Sequence, residues 1–170
     1  MNIYCAQFDL LLGRVIAYST ESGLFSIVLG ERDLRTSIRE LEEQHPFKFL
    51  EDPERFRDLE VDLEGYFCGL QIDFSYPLDL RGATPFEREV WSKVRQIPYG
   101  QVRTYKWLAD QIKHPKAFKA VGRVLGLNPL PIVIPCHRVI MHDLTPGGFS
   151  AGVGWKERLL RLERGELSLL

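Results

Sequence analysis

Three features of the 170-residue sequence predict an α+β chain, with a small N-terminal α/β unit built on a hairpin sheet and a mostly helical second half. Apolar residues alternate with a period of two before residue 31, capped amphipathic segments dominate after residue 84, and the charge changes sign between them. Residues 1–84 carry 8 Lys+Arg against 16 Asp+Glu and residues 85–170 carry 14 against 7. These are formal charges of −8 and +7 within a chain of net charge −1. With 45% apolar and 26% charged residues the composition is that of an ordinary globular protein, which excludes disordered, collagen-like and disulfide-dense classes. A chain of this length buries about two-thirds of its unfolded surface, enough for one domain or two small ones.

In the first half, Arg14 to Thr20 and Gly23 to Gly30 read as strands joined by Glu21-Ser22, with Val15, Ala17, Phe25, Ile27 and Leu29 in alternation. Asp33 to Gln44 and Pro53 to Cys68 read as helices. The second presents Phe56, Leu59, Leu63 and Phe67 on one face. Pro77 and Gly82 punctuate a linker over Tyr76 to Ala83, which sets a boundary near residue 84 and two domains, 1–84 and 85–170.

The second half opens on a strong helix start: Thr84 as N-cap, Pro85 at the first helical position and Glu87 three residues after the cap. Phe86, Val90 and Val94 form its apolar face. After a turn at Pro98-Tyr99-Gly100, Thr104 caps a helix through Tyr105, Leu108, Ala109 and Ile112 that breaks at Lys113-His114. Pro115 then begins a helix carrying Ala117, Val121, Val124 and Leu125, ended by Asn128-Pro129. Two short helices with a tight connection form a helix-turn-helix candidate, an arrangement also common in plain helical cores. Lys116, Lys119 and Arg123 on the second helix favour phosphate contact. The charge asymmetry fits either a polyanion-binding face or simple attraction between the halves.

Ile132 to Ile140 reads as a buried strand broken by Pro135 immediately before Cys136-His137-Arg138. Cys136 is either a small core residue or an activated thiol. An ordinary thiol is only a few per cent thiolate at neutral pH, so nucleophilicity requires a nearby cation or base, and His137 and Arg138 are candidates. Neighbours on a regular strand face opposite ways, so His137 serves Cys136 only across a turn or through water. The three cysteines, Cys5, Cys68 and Cys136, cannot all pair within the chain and match neither a disulfide framework nor a zinc set. A reducing cytoplasm is expected. No apolar run approaches the ~20 residues of a membrane span, and the N-terminus has no basic stretch of a secretion signal.

A set of ordered motifs resembles the O6-alkylguanine-DNA alkyltransferase family. They are Val90-Trp91 with Ile97-Pro98-Tyr99-Gly100, Thr104-Tyr105 with Leu108-Ala109, Ala120-Val121-Gly122, Asn128-Pro129, Pro135-Cys136-His137-Arg138-Val139, and Lys156 leading to Leu159-Leu160 and Glu163. The match covers residues 85–170 well and the first half loosely. The resemblance implies a winged-helix-like, helix-turn-helix domain that binds duplex DNA and extrudes an O6-alkylated guanine, with O4-alkylthymine a second candidate. The alkyl group then passes irreversibly to Cys136 in a single turnover. It further implies His137 as the water-linked base, Glu163 as its orienter, and Asn128 as the link between recognition helix and active segment. Tyr105, Lys119, Arg123, Arg138 and Ser150 are the implied DNA- or lesion-binding residues. No cofactor and no metal are implied, since Cys5 lacks accompanying zinc ligands. The partner is double-stranded DNA containing O6-alkylguanine, not a membrane. A monomer is expected, cytoplasmic and nucleoid-associated when on DNA, or nuclear in a eukaryote.

The chain departs from the family pattern in places. Lys119 stands where an arginine usually enters the base stack, and lysine lacks the planar fork, so weaker support of the flipped state is expected. Phe149 and Ala151 replace a frequent tyrosine and glycine, which is expected to narrow tolerance for bulky alkyl groups. Two other readings stay open: a lesion-binding protein without efficient transfer, and a thiol hydrolase that uses Cys136 and His137 over many turnovers. A transcription regulator ranks last.

Overall fold

The computed structural model describes residues 1–44 and 46–167. The chain divides into two compact units, Met1–Asp79 and a second beginning at Leu80.

The first unit is a four-stranded sheet of order β3-β2-β1-β4, with β1 at Asn2–Leu10, β2 at Gly13–Thr20, β3 at Gly23–Gly30 and β4 at Lys48–Glu51. The expected hairpin is β2–β3, with Ala17 opposite Ile27. β1 pairs antiparallel with β2 and parallel with β4. The sequence reading placed no strand at either β1 or β4. Both faces of the sheet are covered, so the central strands lose the alternation that marks a half-exposed one, and every residue of β2 from Val15 to Thr20 is buried. On one face Ile3, Cys5, Ile16 and Tyr18 meet helix α1 (Leu34–Gln44) through Leu34, Ile38 and Leu41. On the other, Phe8 meets Phe56 edge to face at 6.4 Å. Phe56 ends a 3-10 turn that runs into α2 (Arg57–Phe67), whose Leu59, Leu63 and Phe67 are buried as their spacing predicts.

The segment read as linker is half strand partner. Leu24 donates to the Pro77 carbonyl at 2.8 Å, and the Asp79 amide donates back to Leu24 at 2.7 Å. Gly23 makes this approach possible: with φ +143°, an added Cβ would sit 2.3 Å from the Pro77 oxygen.

The second unit contains α3 (Pro85–Val94), β5 (Arg103–Thr104), α4 (Tyr105–Gln111), α5 (Phe118–Gly126), β6 (Val139–Ile140) and α6 (Val153–Glu163). The Thr84 capping box forms as expected, and Thr104 caps α4 by accepting from the Trp107 amide at 3.1 Å. Two expectations fail here. The helix expected from Pro115 starts at Phe118, because the Ala117 amide closes a turn onto the His114 carbonyl at 2.8 Å. The strand expected from Ile132 is a buried turn. Pro131 and Pro135 have no N–H for a ladder, Ile132 takes φ +76°, and the Ile134 amide closes onto Leu130 at 2.8 Å. Among the described residues, no helix is long and apolar enough to cross a membrane.

Candidate active site

The site begins where α5 ends. Trp91 of α3 donates to the Val124 carbonyl at 3.2 Å, which fixes the last turn of α5 and hence the position of Asn128 just beyond it. The Asn128 amide oxygen accepts from the Leu130 amide at 2.9 Å, so its NH2 is directed the other way. That NH2 donates to the Ile134 carbonyl and to the Cys136 sulfur, both at 2.9 Å.

Cys136, His137 and Arg138 occupy one buried 3-10 turn, closed by the Arg138 amide on the Pro135 carbonyl at 3.0 Å. The turn removes the objection that neighbours on a strand face apart. Burial pushes the Cys136 thiol up to about 11, against the opposing pull of the Asn128 amide and of the Lys156 charge. His137 is fully buried and its Nε2 lies 2.7 Å from Glu163 Oε1. Burial lowers the imidazole below its ordinary value despite the Glu163 contact, so it is neutral near pH 7.

Glu163, the last residue of α6, is held by three groups. Besides His137 it accepts from Arg138 Nε at 3.1 and 3.0 Å and Nη2 at 2.9 Å, and from the Gly100 amide at 3.0 Å. Burial works to raise its carboxyl, but the hydrogen bonds and charges of His137 and Arg138 overcome this and hold it well below the usual carboxylate range. An ionised Glu163 only accepts, so the neutral imidazole donates through Nε2–H and Nδ1 is left as its basic nitrogen.

Arg138 corrects an expectation. Read as a DNA- or lesion-binding residue, it is 9% exposed and its guanidinium is engaged with Glu163 and, through Nη1, with the Ile97 carbonyl at 2.7 Å. It neutralises the carboxylate that orients His137.

Lys156 is the residue whose part the sequence reading did not assign. It has no solvent exposure, and Nζ donates to the carbonyls of Val139 at 2.6 Å and Gly148 at 3.1 Å, 5.7 Å from the Tyr105 ring centroid. Burial pulls its ammonium down to about 8, opposed by Cys136. The available signal was its phase. Lys156, Leu159, Leu160 and Glu163 stand at i, i+3, i+4 and i+7, all buried, so two charges lie on the apolar stripe of α6.

A cavity of about 950 Å³ opens beside this network, with Tyr105, Phe118, Lys119, Met141, Phe149 and Ser150 in its wall. Phe149 connects the two, its ring edge-on to His137 at 6.5 Å. The loop carrying Ser150 is pressed on Tyr105: a Cβ on Gly147, at φ +73°, would lie 3.0 Å from the tyrosine hydroxyl. The structure thus joins Cys136, His137, Glu163, Asn128 and Arg138 in one network and sets Tyr105, Lys119 and Ser150 around the adjoining cavity. Arg123 is exposed on α5 and is not among the cavity residues.

The family profile for the 6-O-methylguanine DNA methyltransferase DNA-binding domain matches residues 85–165. The methylated-DNA–protein-cysteine methyltransferase of Methanosarcina acetivorans is 35% identical over 163 residues, covering 95% of this chain and 98% of that protein. That of Methanosarcina barkeri is 42% identical over 156 residues, covering 92% and 94%. Among solved structures, Mycobacterium tuberculosis OGT in complex with DNA matches with a TM-score of 0.81 and 34% identity, over 98% of this chain and 94% of that one. The likeness runs through both units and through the helix pair, thiol turn and α6 that frame the buried network, and by it the chain belongs to the methylated-DNA–protein-cysteine methyltransferase family.

Proposed function

We propose that this chain repairs alkylated DNA directly, taking the alkyl group from O6-alkylguanine in duplex DNA onto Cys136, once per chain and as a monomer. The observation that carries the reading is the convergence on one turn of a sulfur held by Asn128 at 2.9 Å and an imidazole held by Glu163 at 2.7 Å. This is the nucleophile, base and orienter arrangement of covalent catalysis. The Cys136 proton passes to His137 through water, and the sulfur attacks the alkyl carbon in line. The S–C bond forms as the C–O6 bond breaks, and its electron pair stays on guanine. Burial, with the charge on Cys136, raises the Tyr105 phenol above its ordinary value, so it stays protonated and donates to the departing purine. The proton lost by the thiol ends on guanine, and the thioether is not hydrolysed. A nucleotide must leave the stack to reach the site, and the cavity beside Tyr105 is where the base is received. O4-alkylthymine offers the same displaced bond.

The test is intact-protein mass after incubation with a duplex containing O6-methylguanine. One added methyl per chain, saturating at one and absent with undamaged DNA, is the expected result. Release of many products per chain would move the site to a hydrolase, and binding without mass change to lesion recognition.

Lys156 ties the start of β6, which directly follows the active turn, to the loop bearing Ser150 through its two carbonyl contacts. Lys156→Met is therefore expected to slow single-turnover transfer by at least about tenfold, the scale of one charge-assisted hydrogen bond, with duplex affinity changed less than about twofold. Rapid-quench transfer assays beside a binding titration check it; an unchanged rate removes Lys156 from the machinery.

A further inference from the structure

We propose that Phe118 is the wedge that enters the base stack when the damaged nucleotide leaves it, an inference that rests on the DNA-repair reading above. Among the ten Phe, six Tyr and three Trp of the chain, every other ring is buried or half-buried, and Phe118 alone is exposed, at 49%. It is the first residue of α5 and stands in the wall of the cavity next to Lys119.

Its surroundings say what that ring meets. Between residues 105 and 127 the chain carries Lys106, Lys113, Lys116, Lys119 and Arg123, all exposed, against Asp110 as the one acid. A face so charged gathers phosphates, for which a phenyl ring is useless, and an exposed phenyl beside five cations gains only where it finds an apolar surface on the same polyanion. Duplex DNA offers one, the gap between base steps, which apolar side chains such as Phe and Leu enter as they unstack it. Lys119 cannot fill that gap: its ammonium is a compact, strongly hydrated charge without a stacking plane. Successive residues on a helix are separated by about 100°, so the first turn of α5 presents both outward, lysine to phosphate and phenylalanine to the stack. Phe118 stands in the wall of the cavity assigned above to the extruded base, which couples extrusion to capture.

Phe118→Ala and Phe118→Leu are to be compared with the wild-type chain in single-turnover transfer from O6-methylguanine placed in duplex and in single-stranded DNA. A 2-aminopurine beside the lesion reports unstacking. The expected result for Phe118→Ala is a loss of about tenfold or more on duplex, less than twofold on single strands, and no rise in 2-aminopurine emission. Phe118→Leu, still apolar, keeps its duplex rate within about threefold of wild type. Equal losses on both substrates, or a wild-type duplex rate and emission in Phe118→Ala, overturn the wedge while leaving the repair reading intact. Absence of transfer by the wild-type chain from either substrate overturns both.

Discussion

A Cys136→Ser chain is expected to bind duplex DNA as tightly as the wild type and to acquire no alkyl group. The substitution changes one atom at a 3%-exposed position, and a serine hydroxyl accepts from the Asn128 amide as the sulfur does, so the turn and its network persist. The stability change is expected to stay within about 1 kcal/mol. Reactivity falls entirely, because a hydroxyl is far harder to deprotonate than even this burial-raised thiol and oxygen is the poorer nucleophile toward saturated carbon. The other two cysteines do not substitute. Cys5 lies in β1 with no exposure, its thiol bonded to the Leu50 carbonyl at 3.5 Å and pushed up to about 11 by burial and by Glu51. Cys68 is exposed at the end of α2, in the other unit from the cavity. Intact mass and a thermal melt on the variant check both halves of the prediction, and an alkyl group found on Cys5 or Cys68 would refute the assignment of the acceptor.

That the resemblance implies a Cys136, His137 and Glu163 set, while the hold of Arg138 and Gly100 on Glu163 is not legible in the sequence, has a physical cause. Caps and hairpins are local: the Thr84 capping box, the Thr104 cap and the β2–β3 turn each depend on residues within four positions, and each forms as read. The site is closed instead by contacts across 25, 26 and 63 positions, those of Arg138, His137 and Gly100 with Glu163. No local pattern distinguishes an arginine that meets phosphate from one that neutralises a buried carboxylate, and the resemblance implies the first for Arg138 where the structure shows the second. The prolines at 131 and 135 did carry the information that no strand runs through them; the apolar run between them reads as a strand only if their missing donors are discounted. Lys156 was visible as a motif member, yet only the phase of α6 shows that it points inward with Glu163.

Glu163→Gln tests how far that long-range closure sustains both fold and chemistry. Its side chain is 2% exposed and receives three donors, one of them cationic. The amide keeps one acceptor and turns an NH2 toward groups that are themselves donors, leaving the Arg138 charge buried without its counter-ion. Loss of one partner from a buried pair costs about 3–5 kcal/mol, which urea denaturation at pH 7 should register. The pH dependence fixes the cause. Glu163 has its folded pKa depressed, so its stabilisation is fully present above the unfolded value of about 4.3 and is lost as pH falls through the lower folded value. His137, also depressed, acts in the same sense from about 6.5 downward, because the unfolded chain takes up a proton that the buried imidazole refuses. The wild type therefore loses stability progressively on the acid side of pH 6.5. The gap between wild type and Glu163→Gln narrows only below about pH 4.3, as the unfolded wild-type carboxylate takes up a proton that the native one still refuses. Transfer falls as well, by about a hundredfold or more, since the amide NH2 no longer holds the tautomer that leaves Nδ1 basic. A variant as stable as wild type at pH 7, or a gap that is flat with pH, would mean that Arg138 and His137 are held by the packing of the turn and not by the Glu163 charge.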